Sequence, residues 1–445
     1  MMIDFVPHNP YSTDSAAPYT PFAGRANVFA RLRRQLTDPA HSGALLITGR
    51  RQIGKTAFLR AFDSAFDETF VGVYVPLRET LPAREHDWWL GLAQSITERL
   101  VASSFTLTRL HDMQPPGDDA RAWFAETYLP PVLALIRPHR RLVLLFDDAE
   151  VLLNAKRNNE LRADTIPFLR GLTDRMAQLH IALTLDTAHE AALPEFYPLV
   201  RPTDSVRLTN LAADETAWLL SEPVREQYAL DDGAQAAAFR LTGGAPAITQ
   251  SFGILLYERY QDDRAQTIVT TDDVKRAGQI LFRQIEGELR RTWDELTTNE
   301  QVVLRAVSQL LYQDPLRPVD ANTVGSYLVD SDEPMDATTV GAALRSLEYR
   351  EIVTLLPEGI ALTADVMQRF LLENAYNVPL SAPPARGLGG MSPLLKRRNR
   401  GLRVALLLVL VAMLVVGVLL LSALSSLPRE AEIIPGAPTI TLTGG

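Results

Sequence analysis

Two glycines, a lysine and a threonine stand at a spacing that suits phosphate binding. Residues 49–56 read GRRQIGKT and match the pattern G-x-x-x-x-G-K-[ST]. Gly49 and Gly54 let the backbone curl so that successive amide groups face one anion. Lys55 brings a positive charge to the β- and γ-phosphates, and the Thr56 hydroxyl can ligate Mg²⁺. The pattern predicts a phosphate-binding loop (P-loop) for ATP and Mg²⁺, with contacts from Gly49, Gln52, Ile53, Gly54, Lys55, Thr56 and Ala57.

Acidic residues that follow another apolar run can complete such a site. Residues 142–146 read LVLLF and lead directly into Asp147, Asp148 and, after one alanine, Glu150. A buried strand of an α/β sheet delivers the residues that follow it to the edge where ligands bind. We expect Asp147 to hold Mg²⁺, directly or through water, and Asp148 or Glu150 to orient or deprotonate the attacking water. A helix N-cap is the alternative role for Asp147 or Asp148.

One further polar residue stands at a strand end. The apolar run 181–185 is followed by Asp186 and Thr187. A polar side chain at this place can reach the γ-phosphate or the attacking water, and Thr187 is our candidate. A capping or turn role for Thr187 is the alternative.

These residues must be positioned by strands that alternate with helices. The apolar runs 45–48, 70–77, 142–146 and 181–185 are typical of buried strands, and residues 206–208 form a short fifth one. Such alternation predicts an α/β fold with a parallel sheet. From Asp214 onward the pattern is helical, with a turn at Gly243-Gly244-Ala245-Pro246.

The region 296–376 reads as three short helices followed by a hairpin, which predicts a winged helix. DNA binding is the function such a unit suggests first, but this region contains five arginines, no lysine and twelve acidic residues. Phosphate binding needs several basic contacts, because counterion release supplies most of the affinity. We therefore expect a protein partner or an intramolecular contact here, and DNA binding is disfavoured.

An apolar run near the C-terminal end predicts a membrane anchor. Residues 404–424 are apolar apart from Gly417 and Ser422. About 20 such residues span the ~30 Å hydrocarbon core of a bilayer as a helix. Five basic residues stand just before this run: Lys396, Arg397, Arg398, Arg400 and Arg403. By the positive-inside rule we expect a single-pass protein of the cell membrane whose N-terminal bulk lies in the cytoplasm.

Composition excludes several classes of site and partner. The formal net charge is −9, which argues against bulk nucleic-acid binding. The absence of cysteine excludes disulfides, thiolate metal sites and a cysteine nucleophile. Residues 1–20 lack the apolar stretch of a signal peptide, so we expect an extended leader.

Taken in order, the motifs resemble those of a known class of ATPases. Phe22-x-Gly24-Arg25, the GRRQIGKT loop, LLFDDAE at 144–150, Arg207-Leu208-Thr209-Asn210-Leu211 with Glu215, and Gly244-Ala245-Pro246 follow one another along the chain. This series is similar to that of the STAND class, signal-transduction ATPases close to archaeal-type ATPases within the AAA+ assemblage. The likeness covers about residues 20 to 290 and extends more loosely to residue 376.

The resemblance implies further roles that spacing alone does not give. Gly24 and Arg25 would flank the adenine, and Pro246 would pack near it in a helical lid that senses the nucleotide. Asp148 stands where AAA+ relatives often carry glutamate as the catalytic base. The resemblance therefore implies slow hydrolysis, or a transfer of that role to Glu150. It also leaves a nucleotide-dependent oligomer as an expectation.

We thus expect a P-loop NTPase sheet, a helical lid, a winged-helix domain and a single transmembrane helix. The predicted boundaries are leader 1–20, ATPase core 21–210, lid 211–294, winged helix 295–376, flexible basic linker 377–403, transmembrane helix 404–426 and short extracytoplasmic tail 427–445. Three functions are compared: a membrane-anchored STAND-type ATPase switch, a non-hydrolysing scaffold that recruits a protein partner to the membrane, and a DNA-binding ATPase. We favour the first.

Overall fold

The centre of the fold is a parallel sheet that carries the P-loop at the end of one strand. The computed structural model describes residues 9–13, 24–38, 43–66, 69–81, 84–105, 117, 119–136, 140–312, 317–329, 331 and 333–374. The strands of this sheet are β1 (Ala44–Gly49), β2 (Phe70–Pro76), β3 (Arg141–Asp147), β4 (Leu179–Asp186) and β5 (Ser205–Arg207). Their spatial order is β2-β3-β4-β1-β5, and every neighbouring pair is parallel. The predicted α/β fold with a parallel sheet is confirmed.

Both faces of the sheet are buried, which explains why the strands read as continuous apolar runs. Leu46 and Leu144 belong to the core on one face, whereas Leu45 and Ile47 belong to the core on the other. The helices that accompany the sheet are α1 (Ala26–Thr37), α2 (Lys55–Arg60), α3 (Phe62–Ala65), α4 (Leu77–Thr80), α5 (Glu85–Ala102), α6 (Ala120–Trp123), α7 (Leu129–Leu135), α8 (Glu150–Arg157), α9 (Thr165–Arg175) and α10 (Leu193–Phe196).

Strand register brings distant residues to one edge of the sheet. β1 and β4 are adjacent, and their register pairs Gly49 with Asp186. β2 and β3 are also adjacent, and their register pairs Pro76 with Asp147. Because parallel strands end at the same edge, the residues after these strands lie close together.

Residues 211–294, called the first helical segment below, contain four α-helices: α11 (Ala213–Ser221), α12 (Asp232–Thr242), α13 (Pro246–Asp262) and α14 (Thr271–Asp294). Two short strands, β6 (Ala229–Leu230) and β7 (Ile268–Val269), pair in parallel beside them. Tyr11 packs into this segment with 3% of its surface exposed. Its hydroxyl donates a hydrogen bond to the carbonyl oxygen of Leu220 at 2.6 Å. The predicted leader thus contributes Tyr11 to the packing of this segment, and the amide of Ser12 donates to Gln250 of α13.

Residues 297–374, called the second helical segment, complete the described chain. Its elements are α15 (Thr298–Leu311), α16 (Ala321–Val329), α17 (Ala337–Tyr349), β8 (Val353–Leu356), β9 (Gly359–Leu362) and α18 (Asp365–Asn374). β8 and β9 form an antiparallel hairpin. One apolar core joins the two helical segments, and it includes Phe282 and Phe370. The elements follow the expected order, and the winged helix remains a prediction.

The predicted membrane anchor lies outside the described residues. The chain divides into a unit of residues 1–379 and a unit of residues 380–445, and all described residues belong to the first. Among them, no helix combines the length and the apolar character needed to cross a bilayer. The predicted linker 377–403, helix 404–426 and tail 427–445 therefore remain predictions.

Candidate functional site

The P-loop connects the end of β1 to the start of α2 by a tight turn. A Cβ atom on Gly49 would lie 2.6 Å from Cγ2 of Ile53, so a larger residue at this position would force the loop to shift. Gly54 precedes α2 with a φ of 94°, and Gln52 also has a left-handed φ, of 63°. The backbone therefore has the curl that the GRRQIGKT pattern predicts for an anion-binding loop.

Lys55 lies inside this curl with 8% of its surface exposed. Its Nζ donates hydrogen bonds to the carbonyl oxygens of Gly49 at 2.8 Å and Arg50 at 3.0 Å, and to Oδ2 of Asp186 at 3.0 Å. The two carbonyl contacts hold the ammonium group at the centre of the loop, where a polyphosphate would meet it. Asp186 is a contact that sequence reasoning missed. Thr187, the candidate at this strand end, begins a 3-10 helix, Thr187–Ala192, and its role at the site remains a prediction.

Asp147 meets the threonine of the P-loop directly. The Thr56 hydroxyl donates to Oδ2 of Asp147 at 2.6 Å, and the Tyr74 hydroxyl donates to the same oxygen at 3.0 Å. Thr184 donates to the other oxygen, Oδ1, at 2.5 Å. The N-cap alternative for Asp147 is wrong, because Ala149 is the N-cap residue of α8 and both carboxylate oxygens of Asp147 accept from side-chain hydroxyls.

Thr56 and Asp147 fit an Mg²⁺ ion that is bound together with a nucleotide. Magnesium at phosphate sites keeps several waters and takes one or two protein oxygens together with phosphate oxygens. Thr56 and Asp147 offer a hydroxyl and a carboxylate side by side. Within the described ranges, no group of three or more acidic, histidine or cysteine side chains forms a metal site by itself. The donor set therefore fits a metal that is held jointly with phosphates.

The two candidate bases share one arginine. Nε of Arg78 donates to Oδ2 of Asp148 at 2.8 Å, and its NH2 nitrogen donates to Oε1 of Glu150 at 3.0 Å. Asp148 has a left-handed φ of 59°, and its amide donates to the hydroxyl of Thr184 at 2.9 Å. Burial raises the pKa of Glu150, and the backbone amide at its own position opposes that shift. Sequence reasoning missed Arg78, which lies on α4 far from both acids in sequence.

Gly24 and Arg25 connect the first helical segment to the P-loop. The amide of Arg25 donates to Oε1 of Glu215 at 2.9 Å, and its guanidinium donates to the carbonyl oxygen of Ile53 at 3.3 Å. Gly24 has a φ of 71°, and a Cβ there would lie 2.3 Å from Oε1 of Glu215. Pro246 is the first residue of α13. The structure brings Gly24 and Arg25 to the site, and the adenine contacts of Gly24, Arg25 and Pro246 remain predictions.

The P-loop also contacts the second helical segment, which no sequence pattern indicated. Arg50 donates to Oδ1 of Asn210 at 2.7 Å, and its Nε lies 3.5 Å from Oε2 of Glu351. The amide of Asn210 donates to the other oxygen of Glu351 at 2.6 Å. Glu351 follows the end of α17 with a left-handed φ of 59°. A pocket beside this contact is lined by both helical segments, among them by Ala245, Ile248, Glu288, Arg350 and Met367.

Tyr349 and Glu288 also connect the helical segments to the part of the chain that carries the P-loop. The guanidinium of Arg207, on β5, stacks over the Tyr349 ring at 3.4 Å, and the Tyr349 hydroxyl donates to Glu190, which lies four residues after Asp186. On the other side, the side-chain amide of Gln52 lies against the carboxylate of Glu288 on α14, to which its nitrogen can donate. Glu288 of the first helical segment and Glu351 of the second thus both contact side chains of the P-loop.

Comparisons with known proteins agree with this geometry. Residues 21–185 match the family model described as an AAA ATPase domain. A Walker-type ATPase of Pyrococcus abyssi has 19% sequence identity and a TM-score of 0.50 to this chain, and the match covers 79% of this chain and 96% of that one. At this identity the likeness concerns the fold, which is that of a P-loop NTPase. The range 21–185 that matches the AAA ATPase domain contains both the P-loop and Asp147.

Two further solved structures are similar at lower scores. The Aeropyrum pernix ORC2 protein, in ADPNP–ADP complexes, has 13% identity and a TM-score of 0.44, with 80% of this chain and 97% of that chain covered. Cdc6p from Pyrobaculum aerophilum has 13% identity and a TM-score of 0.40, with 81% and 97% covered. No match to a curated protein is found.

Proposed function

We propose that this protein is a STAND-type ATPase, a nucleotide-dependent switch tethered to the membrane by its C-terminal region. The observation that carries the nucleotide part is the 2.6 Å hydrogen bond between Thr56 and Asp147, which joins the P-loop to the acidic strand end. This is the arrangement that an Mg²⁺-bound triphosphate requires. The AAA ATPase match over residues 21–185 supports the same reading.

Binding rests on the loop and hydrolysis on the acids beside it. The amides of residues 50–56 and the ammonium group of Lys55 would hold the phosphates, and Thr56 and Asp147 would hold Mg²⁺, which neutralises phosphate charge when it is bound. Burial raises the pKa of Glu150, which favours Glu150 as the base that takes a proton from water, and Asp148 is the other candidate. Arg78 binds one oxygen of each carboxylate, so we expect it to restrain both as bases.

The switch rests on contacts between the loop and both helical segments. Arg50 contacts Glu351 of the second segment, and Gln52 faces Glu288 of the first. A nucleotide that changes the P-loop therefore acts on both segments, and it shifts their arrangement if it binds two arrangements with different affinity. A protein partner would then recognise the second helical segment in one arrangement only.

Membrane attachment rests on the sequence of residues 396–424 and on the positive-inside rule. Membrane fractions of cells that produce the full chain should retain the protein after a carbonate wash. A truncation at residue 395 should release it. Recovery of the full chain in the wash would contradict the anchor without touching the nucleotide site.

A non-hydrolysing scaffold is the second candidate, and one observation favours it. Arg78 binds one oxygen of each candidate base, and we expect this contact to slow turnover. DNA binding is disfavoured by the acidic composition of residues 296–376.

Titration of the purified full chain with Mg·ATP tests the proposal. Wild type should bind, and Lys55→Ala should lose about 3 kcal/mol, or about 100-fold in affinity, because a buried charge contact is removed. Lys275→Ala is the matched control, since Lys275 pairs with Asp272 on the exposed surface of α14. Tight binding by Lys55→Ala would overturn the nucleotide site. Steady-state phosphate release that exceeds that of an Asp147→Asn/Asp148→Asn double variant would decide for the ATPase over the scaffold.

A further inference from the structure

Each cationic side chain near the phosphate position of the P-loop faces a carboxylate that comes from another part of the fold. Lys55 pairs with Asp186 at the end of β4. Arg50 pairs with Glu351, which follows α17 in the second helical segment. Glu288, on α14 of the first helical segment, faces Arg50 and Arg51 and contacts Gln52. Three different segments are thus held to one loop by negative charge.

We infer that Glu351 and Glu288 compete with nucleotide phosphates for the positive charge of the P-loop, and so link nucleotide binding to the release of both helical segments. This inference rests on the proposed function, because it concerns the affinity of that same site. Glu288 and Glu351 are positioning residues: they act on the nucleotide through Arg50, Arg51 and Gln52.

The surroundings of Glu351 show that its charge has two partners. One oxygen accepts from the amide of Asn210 at 2.6 Å, and the other lies 3.5 Å from Nε of Arg50. A glutamine at this position keeps an oxygen for the Asn210 amide but loses the charge that Arg50 faces. Glu351→Gln therefore separates the electrostatic role from the structural one.

The surroundings of Glu288 point in the same direction. Burial raises the pKa of Glu288, while the charges of Arg50, Arg291 and Arg51 oppose that shift. These arginines lie on the P-loop and on α14 itself. A polyphosphate in the loop carries several negative charges, so it would be repelled by a carboxylate that faces the same arginines.

Linkage makes this effect reciprocal. If the two carboxylates weaken nucleotide binding, then bound nucleotide must weaken the contacts of those carboxylates by the same factor. The residues that respond include the end of α17, because Tyr349 contacts Arg207 of β5 there and Glu351 contacts Arg50 of the P-loop. Nucleotide binding is thereby converted into loosening of a defined surface.

Affinity measurements on the full chain test the inference. Glu351→Gln and Glu288→Gln should each tighten Mg·ATP binding by about 3- to 10-fold, the size expected for unit charges about 10 Å apart in a partly screened site. The gain should be smaller for ADP, which carries less charge, and it should shrink as salt is raised. A merely structural role would give neither dependence. Glu348→Gln and Glu286→Gln are matched controls on α17 and α14, and both should bind as wild type does.

Unchanged or weaker Mg·ATP binding by both variants, relative to the controls, would overturn the inference. If wild type binds Mg·ATP, Lys55→Ala does not, and the glutamate variants match the controls, this inference fails while the proposed function stands. If wild type itself does not bind Mg·ATP, the proposed function fails.

Hydrogen exchange of the wild-type chain keeps the inference testable even if a variant does not fold. Peptides that cover residues 345–353 and 285–292 should exchange faster when a non-hydrolysable Mg·ATP analogue saturates the protein. Unchanged or slower exchange in both peptides would contradict the inference.

Discussion

Thr56 and Asp147, separated by 91 positions in the chain, are joined by a 2.6 Å hydrogen bond between a hydroxyl and a carboxylate. The contact depends on the sheet, because β4 lies between β1, which carries the P-loop, and β3, which carries Asp147. Thr184 on β4 donates to the second oxygen of Asp147 and fixes the orientation of the carboxylate. The position of the metal donors is therefore set by packing across three strands.

Replacing Asp147 tests its role in holding the metal. Asp147→Asn keeps the shape of the side chain but removes its charge, so the affinity for Mg·ATP should fall by about 10-fold or more. Affinity for ATP in the presence of EDTA should change little, because the P-loop contacts remain. Asp174→Asn, on the exposed surface of α9, is the control. Equal losses with and without Mg²⁺ would assign Asp147 a purely structural role.

Removing Arg78 tests whether it restrains the candidate bases. Arg78→Gln should free the oxygens of Asp148 and Glu150 that the guanidinium binds, and the steady-state rate of phosphate release should rise severalfold. Arg84→Gln, an exposed arginine shortly after α4, should leave the rate unchanged. A lower rate in Arg78→Gln would mean that Arg78 orients the bases and does not restrain them.

His180 predicts a loss of stability in acid. Burial, together with the charge of Arg141, lowers the pKa of His180 to about 4. In the unfolded chain its pKa is about 6.5. Because the folded pKa is the lower one, this contribution to stability is complete above about pH 6.5 and is lost as the pH falls toward 4. Between pH 7.5 and pH 5 the free energy of unfolding should fall by about 2 kcal/mol from this group alone.

Urea denaturation of wild type and His180→Leu at these two pH values measures the effect. The variant should lose this part of the pH dependence, because leucine does not titrate. In wild type, neither ring nitrogen of His180 has a hydrogen-bond partner among the described residues. Identical pH profiles for wild type and His180→Leu would show that another group causes the acid sensitivity.

Gly24→Ala tests the contact between the P-loop region and the first helical segment. The added Cβ would lie 2.3 Å from Oε1 of Glu215, and the φ of 71° disfavours any side chain. The free energy of unfolding should fall by about 1 to 3 kcal/mol. Gly91→Ala is the control, because nothing lies within 4 Å of the added Cβ within α5, and alanine favours a helix. A Gly24→Ala variant as stable as wild type would mean that Glu215 moves away at little cost.

Local pattern was enough for part of the site. The P-loop and Asp147 were predicted from the sequence, since each follows an apolar run directly and the strand ends of a parallel sheet meet at one edge. Asp186 was missed in favour of Thr187, because the register that pairs Asp186 with Gly49 is decided by strand pairing between distant residues. The apolar run 181–185 alone does not distinguish Asp186 from Thr187 as the residue that meets the P-loop.

Contacts between distant segments could not be predicted from local sequence patterns. Arg78, Glu288 and Glu351 lie on helices or at helix ends with no motif of their own, and their role follows from packing that brings them to Asp148 or to the P-loop. The acidic composition of residues 296–376 argues against DNA binding. One of these acidic residues, Glu351, pairs with an arginine of the P-loop.

The burial of Tyr11 has a practical consequence for work on the isolated ATPase part. Its ring lies against Gly253, where an added Cβ would come within 2.6 Å of the tyrosine, and its hydroxyl binds Leu220. A fragment cut to the 21–185 range that matches the AAA ATPase domain would lack both this ring and the helices it packs against. Protein fragments for crystallisation or assay should therefore keep residues 9–374 together, and an affinity tag should be placed before residue 9.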